Sequence, residues 1–210
     1  MAKLHAPHND RNQAICCEVL GKFLPGTATP DPSITLKVLE VGSGTGQHAS
    51  YIPTHLHNVE WHPSDVSEEY LASVAEWTRG ISNVKEAVTL DASASASKWP
   101  VEAGSMDAVY NCNTVHIAPY EVMVGLVSGA AMCLKPGGRL CVYGPFKIDG
   151  KCTSESNRDF DLSLKARDPG WGIRCVDFED INAKAEAAGF VFVAREEMPA
   201  NNFFCVWERS

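Results

Sequence analysis

Leu36-Lys37-Val38-Leu39-Glu40-Val41-Gly42-Ser43-Gly44-Thr45-Gly46 is a short apolar run that ends in an acid and three alternate glycines. The run predicts a buried strand, and the glycines predict a tight turn that opens onto a helix. Glycine suits such a turn because its backbone angles disfavour a Cβ, and because bare backbone lets a ligand approach the N–H groups at the helix start. A dinucleotide fingerprint reads G-x-G-x-x-G. Here Gly42, Gly44 and Gly46 are followed by Gln47, so the third glycine is out of place for that fingerprint. Glu40 adds an argument from charge: a carboxylate before the first glycine repels a pyrophosphate and attracts an amino group or a sulfonium.

Acids recur at the ends of the next strands. Val59-Glu60-Trp61-His62 predicts a second strand leading to Asp65, at about the distance past the glycines where an α/β nucleotide fold binds ribose hydroxyls. The alternative for Asp65 is to cap the helix opened by Ser67-Glu68-Glu69, whose carboxylates lie near its positive end. Val84 to Leu90 predicts a third strand, with Asp91 and Ala92 at its carboxyl end. Asp107 to Asn113 predicts a fourth, and from its carboxyl edge come Asn111, Asn113 and His116. Open α/β sheets bind ligands at that edge, and burying each polar group there without a partner costs about 1–3 kcal/mol. For His116 a structural role and a substrate contact are balanced. A helix over Glu121 to Leu134 then gives way to Leu134-Lys135-Pro136-Gly137-Gly138-Arg139-Leu140, read as a helix stop, a tight turn and a fifth strand.

E-x-G-x-G-x-G after an apolar strand resembles motif I of the class I S-adenosylmethionine-dependent methyltransferases, and L-K-P-G-G-x-L resembles their later turn, in the right order. The resemblance implies an α/β, Rossmann-like class I methyltransferase fold. It has a seven-stranded, mostly parallel sheet, an antiparallel last strand and a lid insertion after the fifth strand. It also implies S-adenosylmethionine as cofactor, with Glu40, Gly42, Gly44 and Gly46 near its methionine end and Asp65 at the ribose. Asp91, followed by Ala92, would take the adenine amino group, a turn residue being the alternative, and Asn111 would also face the cofactor.

Longer words extend the resemblance over nearly the whole chain. Val38-Leu39-Glu40-Val41 with Gly46-Gln47-His48-Ala49, Glu60-Trp61-His62-Pro63-Ser64-Asp65, Tyr143-Gly144-Pro145-Phe146, Trp171-Gly172-Ile173-Arg174 and Met198-Pro199-Ala200-Asn201-Asn202 are similar to the methyltransferase-like 26 family. That family's pattern includes an Arg-Asn pair matched by Arg11 and Asn12. It implies a cofactor-carboxylate or gating role for Arg11, which by position alone reads as a solvated helix start. His62, where the family usually has an amide, and Pro53, inside a helix, are departures.

The remaining stretches fill in the scheme. Asn9 or Asp10 is expected to cap a first helix carrying Ile15, Val19 and Leu20 on one face, with Gly21 as its stop. Gly26 to Ser33 reads as a connecting loop. The helix after Gly46 should reach about Leu56, kinked or ended early by Pro53. His48, His55, His57 and His62 crowd this region, but no Cys or carboxylate completes a ligand spacing, so no metal is expected.

Residues 147–175 fall outside the strand–helix repeat. Ser154 or Ser156 is expected to cap a helix from Asn157 to Arg167, supported by Phe160/Leu164 and Asp161/Lys165. An insertion this long is usually functional and reads as a lid over the substrate, with Trp171 as an apolar wall. Phe178 to Ala188 is the last helix. Phe190 to Arg195 and Phe203 to Trp207 form a terminal hairpin, whose turn brings Asn201 and Asn202 toward substrate together with Asn113.

Composition bounds the function. A chain of 210 residues with 45% hydrophobic residues supports one well-filled domain over residues 1–210. Lys plus Arg number 18 against 26 Asp plus Glu, a net charge of −8 that argues against nucleic acid. Eight cysteines without a C-x-x-C, several inside apolar strand-like runs, read as reduced residues of a cytoplasmic protein. The opening Met1-Ala2-Lys3-Leu4-His5-Ala6-Pro7 predicts no secretory signal, and Val122 to Leu134 is too short to span a membrane. Within these bounds, the activity that the resemblance implies is methyl transfer to an oxygen or nitrogen nucleophile of a small molecule. His116 is the first candidate base and Tyr143 the second. A cofactor-binding regulator without turnover is one alternative. A nicotinamide oxidoreductase is the other, suggested by Tyr143 and Lys147 at Y-x-x-x-K spacing.

Overall fold

The computed structural model describes residues 3–24, 34–56, 58–177 and 181–210. In chain order the elements are α1 (Pro7–Phe23), β1 (Leu36–Val41), α2 (Gln47–His55), β2 (Val59–Asp65), α3 (Glu68–Thr78), β3 (Val88–Thr89), β4 (Met106–Cys112), α4 (Tyr120–Cys133), β5 (Leu134–Gly144), β6 (Phe146–Ile148), β7 (Lys151–Cys152), α5 (Glu155–Arg167), β8 (Arg174–Cys175), α6 (Ile181–Ala187), β9 (Phe190–Met198) and β10 (Asn202–Arg209). One sheet has the order β3-β2-β1-β4-β5-β10-β9. Its strands are parallel except β10, which runs antiparallel to both β5 and β9. This is the seven-stranded Rossmann-like arrangement expected from the sequence. Strand order reverses between β1 and β4, so their carboxyl ends open a crevice.

Alternation along β1 assigns its side chains to two cores. Val38 packs with Trp61, Ala108 and Tyr110 in a cluster that also takes Leu20 of α1, Ile52 of α2 and Val74 of α3. Leu39 and Val41 join Val109, Val142 and the α4 residues Met123 and Leu126. Both faces are covered, which is why the strand reads as a nearly continuous apolar run. Glu40 interrupts that run and is only 2% exposed.

Several boundaries differ from expectation. α1 starts at Pro7, its N-cap Ala6 offers no side-chain cap, and it passes through Gly21. Proline needs no N–H partner in a first turn and presets the helical φ, so it starts the helix before Asn9 or Asp10. Gly21 serves packing instead of termination: a Cβ there would lie 3.0 Å from Leu56 Cδ2. α2 contains Pro53 and ends at His55. The third strand is shorter than Val84 to Leu90, because only Val88 and Thr89 pair continuously with β2 while Val84 forms an isolated bridge to Trp61.

After β5 the chain builds a three-stranded sheet, β7-β6-β8, and α5. Ser154 Oγ caps α5 by accepting from Asn157 N at 3.1 Å, and Lys165 Nζ donates to Asp161 at 2.9 Å, as the sequence predicts. Arg174 clamps this segment to the loop after β4, donating to the carbonyls of Val115 (3.0 Å) and Ala118 (2.6 Å). The Gly26 to Ser33 loop, His57 and the start of the last helix at Phe178 lie outside the described residues. Among the described residues no helix is long and apolar enough to cross a membrane.

Candidate functional site

A cavity of about 350 Å³ opens at the carboxyl ends of β1, β2 and β4, within the usual range for small-molecule sites. Of the residues singled out from the sequence, Glu40, Gly42, Gly44, Asp65, Asp91, Ala92 and Asn113 line it. So do His8 and Asn9 of α1, His48, Thr114 and an apolar group that includes Val66, Tyr70, Ile117 and Val122.

Glu40 is the buried acid of this wall. Its Oε2 accepts from Trp61 Nε1 at 2.9 Å and from Ser43 Oγ at 2.7 Å. Loss of water pushes its carboxyl up to about 7. The two hydrogen bonds oppose that rise, and the Asp65 charge adds to it. Such a group is half-ionised near neutral pH and gains from a nearby cation. Asp65 fills both roles open to it: Oδ1 accepts from Ser67 N (2.9 Å) ahead of α3, while Oδ2 accepts from Gly44 N (2.8 Å) at the cavity wall. Asp91 likewise lines the cavity and makes a turn. Its Oδ1 accepts from Ser93 Oγ (2.6 Å) and Ser93 N (2.8 Å), bonds that hold the carboxyl below its usual range.

The other predicted residues do not line the cavity. Asn111 is buried and donates to Val41 O at 2.8 Å, leaving its Oδ1 without a partner among the described residues. His116 is 4% exposed, its Nδ1 is similarly unpartnered, and its ring meets Phe160 edge-on at 5.6 Å. Burial, then the charges of Arg174 and His8, lower its pKa to about 4, so at neutral pH it is an uncharged ring and a weak base. Tyr143 lies buried in the core shared with α1, with Asn12 and Asn202 beside its phenol, and burial raises its pKa. Asn201 and Ala200 have φ of 56° and 59° in the β9–β10 turn, which Asn157 Nδ2 holds through Asn201 O at 2.9 Å. Asn202 Nδ2 donates to Pro199 O within the same turn. Trp171 is half-buried after α5, Arg11 is exposed on α1, and Gly46 packs against α3. The oxidoreductase pair is also apart in role, since Lys147 Nζ is bound to Asp161 at 2.8 Å.

The described histidines of the crowded region, His48, His55 and His62, have separate partners. His48 bridges Tyr110 OH and Asn12 Oδ1, both at 2.9 Å, His55 bonds Tyr51 O, and His62 bonds Glu60. Sequence reasoning missed the wall built by α1. Asn9 Nδ2 donates to Thr45 Oγ1 (3.1 Å), Asp10 accepts from Gln47 Nε2, and His8 stands beside them. The Arg11-Asn12 pair was the available signal, and its second member is the one tied into the buried network.

A family model described as "Protein of unknown function (DUF938)" matches residues 3–209. Part of a highly reducing polyketide synthase, easB of Emericella nidulans, is 30% identical over 129 residues, covering 59% of this chain and 5% of that protein. Among solved structures, the CurJ carbon methyltransferase superposes with a TM-score of 0.69 at 21% identity, over 94% of this chain and 54% of that one. The S-adenosylmethionine-dependent methyltransferase SibL, in its apo form, gives 0.69 at 19%, over 96% and 55%. The chain thus spans about half the length of these two enzymes and a small part of the synthase. The likeness shows the fold, that of the class I methyltransferases.

Proposed function

The chain belongs to the DUF938 family, and we propose that it is an S-adenosylmethionine-dependent methyltransferase acting on an oxygen or nitrogen nucleophile of a small molecule. The observation that carries this reading is the buried Glu40 carboxyl, raised to about 7 beside a glycine turn on the wall of the cavity. A site of that kind fits a cation. The words shared with the methyltransferase-like 26 family support the finer membership.

In this reading Glu40, Gly42 and Gly44 hold the methionine end of the cofactor, with the free Oδ1 of Asn111 and the guanidinium of Arg11 for its ammonium and carboxylate. Asp65 accepts from the ribose, and Asp91 with Ala92 receives the adenine. Bound there, the cofactor supplies a methyl group already activated by a positive sulfur. The protein's own task is to orient the acceptor and exclude water. Residues 147–175 act as a lid within a single domain of residues 1–210, and Asn113 is the predicted acceptor-wall residue that lines the cavity. His116, uncharged at neutral pH and with Nδ1 unpartnered among the described residues, supports the acceptor side of the site from behind the cavity wall. The net charge of −8 disfavours nucleic acid as acceptor, and eight free thiols suit the cytoplasm.

Calorimetry with S-adenosylmethionine across pH 5.5–8 tests this. Free Glu40 ionises near 7, and a cation favours its ionised form, so binding below that pH must expel a proton. Affinity is expected to fall roughly tenfold for each pH unit below 7 and to level off just above it. Absence of any heat would remove the enzyme reading altogether. His116→Ala is expected to lower turnover by roughly 10²-fold while leaving cofactor affinity nearly intact; an equal loss of cofactor binding would make His116 a purely structural residue.

A further inference from the structure

An oxygen or nitrogen acceptor that carries a proton must lose it on methylation, and the imidazoles on and behind the cavity wall differ in their access to water: His48 is buried, with both ring nitrogens bonded to Tyr110 OH and Asn12 Oδ1. His116 is buried behind the wall, between the Phe160 ring and the Arg174 guanidinium, where an imidazolium would be desolvated beside a positive charge. His8 stands in the first turn of α1, lines the cavity and remains open to solvent. Its ring makes no hydrogen bond among the described residues, so its nitrogens are available. The geometry points to His8 as the residue that takes the acceptor's proton and hands it to water. This inference rests on the methyltransferase reading above.

The charged and titratable groups around His8 come from every neighbouring element. Arg11 lies on the same helix, His48 on α2 and His116 on the loop after β4, while Glu40, Asp65 and Asp91 belong to the same cavity. Partial burial and then Arg11 lower the His8 pKa, so the ring is a neutral acceptor at pH 7. The acceptor's lone pair forms the new bond to the methyl carbon, and the electrons of the broken carbon–sulfur bond remain on sulfur. The proton passes from the acceptor to an imidazole nitrogen of His8. Glu40, Asp65 and Asp91 are taken up by the cofactor in this reading, and among the described residues no Lys or Arg lines the cavity, which favours a neutral acceptor, such as an amine or a hydroxyl compound, over a phosphate or a carboxylate.

The test is an NMR titration of the full chain labelled at its histidine rings, with the His8 resonance assigned by its loss in His8→Gln. Titrations are run with S-adenosylmethionine bound and again with S-adenosylhomocysteine bound, which differ by the methyl group and the positive charge on sulfur. A His8 ring facing the sulfur should titrate lower with the charged ligand, by about half a pH unit at intermediate dielectric. Equal midpoints with both ligands bound would overturn the assignment and leave the cofactor reading standing, whereas failure of either ligand to bind would overturn both. In turnover of a panel of small amines and phenols, His8→Gln should lower kcat by roughly 10²-fold and remove the acid limb of its pH profile. An unchanged kcat profile would also overturn it.

Discussion

Glu40→Gln is expected to make the ligand-free protein more stable at pH 8 while weakening S-adenosylmethionine binding about 100-fold or more. The carboxyl is fully enclosed, and its pKa rises from 4.5 to about 7 on folding. The sign follows from which state holds the proton. Below pH 4.5 both folded and unfolded chains are protonated and nothing is lost. Between the two values the unfolded chain ionises first, and above 7 the folded chain carries a buried charge at a cost of roughly 3 kcal/mol. A glutamine retains an oxygen for Trp61 and Ser43 without that charge. Part of the gain goes into burying the new amide, so a rise in Tm of about 3–8 °C at pH 8 is expected, vanishing near pH 5. Removing one member of a buried charge pair typically costs about 3–5 kcal/mol, which for the complex means at least about 100-fold in affinity. Melts at both pH values and calorimetry measure the two effects. A stabilised variant that still binds the cofactor at full strength would leave Glu40 with no role toward a cation.

Those opposite effects come from one residue whose position was legible from local pattern. A charged residue inside an apolar strand, followed by alternate glycines, needs no tertiary information to be noticed, and Asp65 and Asp91 were found in the same way at the ends of later strands. What could not be read was how α1 crosses the crevice. Its amphipathic face predicts burial of Val19 and Leu20, as observed, but periodicity says nothing about which sheet edge its first turn overhangs. His8 was therefore missed, Asn9 was read only as a helix cap, and Asn12 was singled out only as the neighbour of Arg11. His116 and Tyr143 illustrate the limit from the other side. Both lie at or just past strand ends, yet Tyr143 points into the core shared with α1, and Asn113, at φ 53°, turns the chain before His116 passes beneath α5. The shortened β3 has a similar origin, since an edge strand has a partner on one side only and ends where that partner's register leaves it.

Gly46→Ala and Gly44→Ala are expected to fail in different ways, two residues apart in one turn. At Gly46 the φ is +95°, and an added Cβ would lie 2.8 Å from the Val74 Cα and 3.3 Å from the Trp77 side chain. Val74 is helical backbone, and Trp77 is held by its Nε1 bond to Leu4 O at 2.7 Å, so neither neighbour moves aside cheaply. Left-handed strain and overlap together should cost about 3 kcal/mol, lowering Tm by roughly 6–12 °C in a chain of this size. Gly44 has φ +54° and, apart from its chain neighbours, no atom of the described residues within 4 Å of its Cβ position, but it lines the cavity. Its alanine variant should lose only about 1 kcal/mol of stability, while cofactor affinity drops roughly tenfold or more as a methyl group enters the ligand's space. Urea melts combined with calorimetry separate the two outcomes. Similar stability losses in both variants, with binding to the folded fraction preserved, would mean that the whole turn is there to pack α2 against α3. A selective binding loss at Gly44 identifies that glycine as the one kept bare for a ligand, and Gly46 as the one kept bare for a helix.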